Sequence, residues 1–269
     1  MIYGYISIIT TLFLWSGFFL SLKGGANSTL TPADIALMRF ILPALVLLPL
    51  VIKARNDIKR TPIRYLIGMF IGCGLPYLLV AGTAMQYVPI ADGSALVPGT
   101  LPLFVSAIAV LFFKQPLSMH RKLGLLFVCI GITLFLTSSL SDYDNSQFFG
   151  HMLFLTGSMM WAVFTVSARV ANLHALVSAG FISLVSSISL LLLIATQSLD
   201  SYLFTLRIDQ LPWREISGHL LLQGVGAGLL ASFTYLYAIN KLGAERSAAF
   251  GSATPVIATV LAIPIFGEL

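Results

Sequence analysis

The side chains able to do chemistry in this 269-residue chain stand inside apolar runs, and they are donors, acceptors and rings rather than catalytic pairs. Tyr77, Gln86, Ser94, Tyr235, Tyr237, Asn240, Ser247 and Thr254 can hydrogen-bond a small molecule, while Trp15, Phe18, Trp161 and Phe164 supply ring walls. Pro98, like Pro102 and Pro255, leaves a helix carbonyl without its usual donor, which makes either a hinge or a ligand contact. As a group these residues describe an apolar cavity with a few polar handles, suited to a small amphiphilic metabolite or a hydrophobic drug. For each of them taken singly, helix packing or anchoring at the membrane interface is the competing reading.

The charged residues narrow the chemistry. Arg39 is the one cation well inside an apolar run, five residues beyond Asp34. A local ion pair or a snorkelling side chain is one reading of the two; carboxylate binding or gating is the other. Asp92 and Glu245 open two later apolar runs, where negative charge favours the helix macrodipole, so capping is preferred to ion coupling. No carboxylate stands in the middle of a run, and His120, His151, His174 and His219 all fall at run ends. Proton drive through an intramembrane acid or histidine therefore has no visible carrier. The scattered histidines also fail the clustering an embedded enzyme needs, and no Gly-Lys-Ser/Thr phosphate loop is present. Cys73 and Cys129 lie in apolar runs and read as packing residues, so neither a metal site nor a cofactor is expected.

The elements that must position these residues are set by composition. With 58% hydrophobic residues, 9% charged residues and a mean hydropathy of +0.95, the chain has too little polar surface to close a water-soluble globule. A window of about 20 residues, enough to cross roughly 30 Å of hydrocarbon, predicts nine transmembrane helices. They are Tyr3 to Leu22, Asp34 to Ile52, Tyr65 to Met85, Ala91 to Phe113, Arg121 to Ser138, Phe148 to Ala171, His174 to Thr196, Gly218 to Asn240 and Ala244 to Phe266. The fold class is all-α integral membrane. The first run is too long for a signal-peptide core and lacks a basic start, so it reads as a retained span. Connectors are short except Lys53 to Arg64 and Gln197 to Ser217, the latter with Pro212 and Trp213 expected at the interface.

Loop charge predicts orientation. With the N-terminus cytoplasmic, the inner loops hold Lys53, Arg55, Lys59, Arg60, Arg64, Lys114, Arg121, Lys122, Arg169, Lys241 and Arg246, against Lys23, Arg207 and Arg214 outside. Asp142, Asp144, Asp200, Asp209 and Glu215 fall in outer loops. The pI of 9.3 thus has a topological origin, and no nucleic-acid partner is needed to explain it.

The chain also repeats itself. Met85 to Pro116 overlays Ala238 to Leu269 without a gap, placing Asp92 on Glu245, Ser94 on Ser247 and Pro102 on Pro255. Trp15 and Lys23 match Trp161 and Arg169 at the same separation of eight. Two repeats follow, residues 1–140 with five helices and 146–269 with four, and an odd number of spans per repeat inverts the second relative to the first. Gly267, Glu268 and Leu269 overlay the turn before the fifth helix of the first repeat, so a tenth span is expected beyond them or has been lost.

In order, these segments resemble the EamA-type branch of the drug/metabolite transporter superfamily. The likeness rests on Trp15, on Pro32 through Phe40, on Ala84 through Pro102 and on the turn Phe112 to Leu117. It continues in Trp161, in Tyr235 through Gly243, in Ser247 through Pro255 and in Phe266, Gly267 and Glu268. Lys114, Gln115 and Pro116 depart from the Gly-Glu pair usual at that turn. The resemblance implies ten helices, an inner-membrane location and export of small metabolites such as amino acids, or of drugs. Inverted repeats rocking about a midplane site would give alternating access.

Helix-breaking clusters mark candidate cavity walls at Gly72, Gly74 and Pro76, at Pro98, Gly99 and Pro102, at Gly224, Gly226 and Gly228, and at Gly251 and Pro255. Close helix approach is the alternative role for the glycines. The expected partners are a small-molecule substrate and the lipid bilayer, with the oligomeric state open. A channel or a non-transporting scaffold remains the alternative function, an embedded enzyme the weaker one.

Overall fold

The computed structural model describes residues 1–141 and 145–267; Asp142, Asp144, Glu268 and Leu269, invoked above, lie outside the described residues. Among the described residues all regular structure is helical, and nine stretches are long and apolar enough to cross a membrane. Span one is α1 (Ile2–Ala26) and span two is α2 (Pro32–Lys53), followed by the short α3 (Arg55–Arg60). Span three is α4 (Ile63–Cys73) with α5 (Leu75–Ala84); spans four to seven are α6 (Ile90–Phe113), α7 (Met119–Ser141), α8 (Asn145–Ala171) and α9 (Ala175–Ala195). Span eight joins α10 (Trp213–His219), a π-helical stretch (Leu220–Ala231) and α11 (Ser232–Leu242), and span nine joins α12 (Ala244–Gly251) to α13 (Thr254–Phe266). All nine lie where the hydropathy windows placed them. The one sizeable shift is in the long connector, where two 3₁₀ turns precede a helix that begins at Trp213 instead of Gly218. Trp213 itself is 58% exposed.

Local chemistry explains the interruptions. Gly74 takes an extended conformation between α4 and α5, and Pro76, near the start of α5, has no N–H to donate. The Leu75 N–H that the break frees donates instead to Ser186 Oγ of span seven at 3.0 Å. Such repair by a neighbouring helix is what allows a break at membrane depth. In span nine Ser252 and Ala253 separate the two helices, with Pro255 in the first turn of α13. Pro98 and Pro102, by contrast, leave α6 uninterrupted, so that cluster does not break its span.

Packing follows small residues. Span three lies on span six as span eight lies on span one; span four lies on span six as span nine lies on span one. Span two packs against spans seven and eight, and span four against span nine. A Cβ on Gly72 would collide with the Met160 carbonyl, while one on Gly224 or Gly228 would lie 2.7 Å from the Met38 or Arg39 carbonyl. At these positions the close-approach role holds. The outward faces carry large apolar side chains, among them Phe13, Leu45, Leu111, Phe127, Ile188, Leu221 and Val256. A surface of this kind is covered by lipid, and the protein is a multi-pass membrane protein.

The ends of the bundle are tied differently. At the end carrying the N-terminus, Arg121 at the start of α7 pairs with Glu245 at the start of α12, and Arg169 donates to the Asn240 carbonyl at 3.3 Å. At the other end His151 bonds Asp92 at 2.8 Å, and Lys23 donates to the Val88 carbonyl at 3.1 Å. Asp92 and Glu245 do stand in first helical turns, but each also reaches across to another helix.

Candidate functional site: a buried aromatic cage around Arg39

Trp15 and Trp161, matched by the repeat, meet edge to face with ring centroids 5.5 Å apart. Each is flanked by a tyrosine from the opposite half: Trp15 by Tyr235 and Trp161 by Tyr77, both at 4.7 Å. The next shell repeats the arrangement, with Phe18 6.4 Å from Tyr77 and Phe164 6.2 Å from Tyr235. Spacing along the chain does not foretell the tyrosine match, because Tyr77 precedes the gapless overlay by eight residues and Tyr235 by three. The break at Gly74 and the π-helical stretch of span eight alter the register of the two spans that carry them.

Arg39 enters this cage from span two, eight residues into α2 and about 11 Å along its axis at 1.5 Å per residue. Only 3% of the residue is exposed. Its guanidinium lies over the Phe18 and Phe40 rings at 4.9 and 5.6 Å, and one terminal nitrogen donates to Gln223 Oε1 at 3.4 Å. Gln223 is held by its own amide, which donates to the Phe18 carbonyl at 3.3 Å. Arg39 Nε has no acceptor, and neither has Trp161 Nε1. Among the described residues no carboxylate lies within ion-pairing distance of Arg39. On insertion scales an arginine at mid-helix costs about 2.5–3.5 kcal/mol. Ring faces return about 0.5–2 kcal/mol each, so the charge is met by two rings and one side-chain amide and, among the described residues, by no opposite charge.

Two closed cavities meet at this residue. The first, with about 340 Å³ of empty space, is walled by Trp15, Phe18, Phe19, Tyr77, Val97, Pro98, Leu101 and Trp161 together with Arg39. The second, about 270 Å³, lies between Arg39, Phe40, Cys73, Phe164, Ser183 and Ser232. Both are narrow, and neither holds more than a water or two as it stands. A wider cleft, with about 940 Å³ of empty space, opens beside Arg64, Tyr65 and Ser167. Span four lines both spaces: Leu101 walls the closed cavity, and Ile108 and Phe112, two and three turns on, wall the cleft.

The structure thus brings together Trp15, Phe18, Tyr77, Pro98, Trp161 and Arg39, with Tyr235 behind Trp15. Ser94, Asn240, Ser247 and Thr254 line neither cavity. Ser94 and Thr254 bond carbonyls of their own spans, Thr254 reaching back across the break to Gly251; Asn240 sits at the bundle end, and the Ser247 hydroxyl is buried without a partner. The local ion pair between Asp34 and Arg39 is not formed. Five residues turn a helix by about 140°, outside the i, i+3 and i, i+4 neighbourhood. Asp34 instead accepts from Thr31 N and Oγ1, from Ser201 Oγ and from Tyr202 and Leu203 N, which fixes the long connector to the start of α2. Phe19, Leu101, Cys73 and Gln223 join the site without having been singled out for it. Gln223 carried a signal, as the one amide within the run Leu220–Leu230.

A bundle of membrane-length helices whose buried centre holds a ring-lined, closed cavity is the construction of a membrane transporter. The model of the EamA-like transporter family matches residues 2–137 and again residues 148–269, and the chain belongs to that family. It is 25% identical over 259 residues to the "uncharacterized inner membrane transporter YedA" of Escherichia coli K12, covering 95% of this chain and 80% of the relative; the proteins of that name from strains O6:H1 and O157:H7 match equally. A solved crystal structure at 19% identity has the same fold, with a TM-score of 0.65 over 97% of this chain and 88% of the other. The family is one of transporters rather than enzymes, and among the described residues no cluster of three metal-ligating side chains occurs.

Proposed function

We propose that the protein is a secondary carrier of the inner membrane that exports small amphiphilic metabolites or drugs by alternating access, with its N-terminus in the cytoplasm. Residues 1–140 and 146–269 act as two inverted repeats, and the cage around Trp15, Trp161, Tyr77 and Arg39 is the substrate site. The observation that carries this reading is the pairing of Trp15 with Tyr235 and of Trp161 with Tyr77 at the same 4.7 Å about the meeting of the two tryptophans. Packing of spans three on six and eight on one, and of four on six and nine on one, supports the same two-fold relation. The closed cavities fit an occluded state, and the cleft beside Arg64 lies toward the end the loop charges assign to the cytoplasm. The "inner membrane transporter" name of the YedA relatives supports the location. Phe18, Pro98 and Tyr235 complete the walls; Ser94, Asn240, Ser247 and Thr254 serve packing or the approach to the site.

The test is counterflow in proteoliposomes, with candidates drawn from metabolite profiling of cells with and without the protein. A carrier gives saturable flux that rises when substrate is present on the far side. Flux that stays linear with concentration would assign a channel instead. Labelling that put Lys59 and Lys241 on opposite faces of the membrane would overturn the inverted-repeat arrangement.

A further inference from the structure

We infer that the substrate of this site is a monoanion, a carboxylate attached to an apolar or aromatic body, bound with its charge on Arg39. The inference rests on the cage being the transport site and adds the chemical class of its occupant. Arg39, on the wall of the first cavity, keeps a buried Nε without an acceptor; Trp161, on the same wall, has its indole N–H beside the Tyr235 hydroxyl without a well-formed bond, and Tyr77 adds a hydroxyl that can donate or accept. Buried donors of this kind call for an acceptor. Gln223 Oε1 takes one terminal nitrogen of the guanidinium at 3.4 Å, and the Cys73 thiol beside it is a weak partner. A carboxylate can take the free edge of the guanidinium fork in the geometry such pairs prefer.

Charge balance sets the valence. No second lysine or arginine lines either closed cavity, so a monoanion brings the cage to neutrality and a phosphate-like dianion would leave it negative. A cationic drug is disfavoured for the same reason, since its charge would be buried beside that of Arg39. The rest of the first cavity is aromatic and aliphatic, and accepts a ring or an alkyl body. Among the described residues the positive charge has no carboxylate to pair with. The anion therefore supplies the opposite charge that no described side chain supplies, and the cage closes most readily when it is bound.

Intrinsic fluorescence reads this directly. The chain has three tryptophans, Trp15, Trp161 and the exposed Trp213, so a W213F protein reports from the cage alone. Purified W213F in nanodiscs at pH 7 is titrated with 3-phenylpropanoate, with the neutral 3-phenylpropanamide and with 3-phenylpropylammonium. The carboxylate should shift the emission saturably, with the amide at least about tenfold weaker, as loss of a charge-assisted hydrogen bond implies, and the ammonium weaker still. R39Q in the same background should lose the preference for the carboxylate, while R39K keeps part of it. A merely structural arginine would not make affinity follow the charge of the ligand, and the three-probe comparison needs no variant at Arg39 to be decisive. Equal binding of all three probes, or an R39Q protein that keeps the carboxylate preference, overturns the anion assignment and leaves the cage standing as a site. Silence from all three in monodisperse protein overturns both.

Discussion

The two halves of the molecule share a plan and differ in where they place polarity. Span two starts at a cap built from Thr31 and Asp34 and carries the buried Arg39; span seven starts at His174, whose ring accepts one backbone N–H at 3.3 Å, and has no charged residue along its length. Span four is continuous and bound to span six by hydroxyls, Thr100 to Ser158 at 2.7 Å and Ser158 to the Val97 carbonyl at 2.8 Å. The positions that overlay them in the other half are Ala253 and Leu12, and there span nine is broken. Trp161, on a cavity wall, has a buried indole N–H with no well-formed hydrogen bond, whereas Trp15 packs 3.1 Å from where a Cβ on Gly251 would stand. A nearly symmetric frame thus holds an asymmetric site. The contact between spans four and six is tied by hydroxyls, whereas among the described residues no side-chain hydrogen bond joins spans nine and one.

The sharpest test of this contrast lies at the caps. Asp34→Ala strands the Thr31, Tyr202 and Leu203 amides and the Ser201 hydroxyl together, and should cost about 3 kcal/mol or more at one to three per buried group. His174→Ala should cost less than about 1 kcal/mol. Denaturant unfolding in detergent would compare them, and equal losses would remove the distinction between the caps. Next come the tryptophans. Trp161→Phe, which removes the indole donor, should weaken substrate half-saturation about tenfold, the worth of a hydrogen bond to a charged group, and Trp15→Phe about twofold. A larger effect at Trp15 in counterflow would reverse the assignment of the cavity side.

Smaller effects sharpen the interfaces. Thr100→Val removes one hydroxyl bond between spans four and six and should cost about 1 kcal/mol, while Ala253→Thr in the other half gains nothing unless a partner faces it. Glu245→Gln breaks a partly exposed pair with Arg121 and should cost about 0.2–1 kcal/mol, fading with added salt. A loss above that range, insensitive to salt, would mean that the pair holds the bundle end shut.

Much of this architecture could be read from residues in order. Tyr3 to Leu22 and Ala244 to Phe266 are spans because their apolar length leaves water no place, and helices satisfy every backbone group from within. Trp15 and Trp161 were legible as a matched pair for the same reason that the Asp92 and Glu245 segments overlay: both copies use the same local pattern. Ser94, Asn240, Ser247 and Thr254 were read toward the cavity and lie elsewhere, since polarity inside a span does not say which way the helix is turned.

Sequence by itself therefore determined the solvent, the spans, their order and the repeated motif, because burial in hydrocarbon is a property of composition and length. Only the tertiary structure decided that Gln223, 184 residues away, meets Arg39, that Ser201 meets Asp34, and that Tyr77 stands to Trp161 as Tyr235 stands to Trp15. Those meetings depend on how each helix is rotated and where it breaks, and in a membrane rotation is set by the shapes of neighbouring helices at close approach, as Gly72, Gly224 and Gly228 permit here.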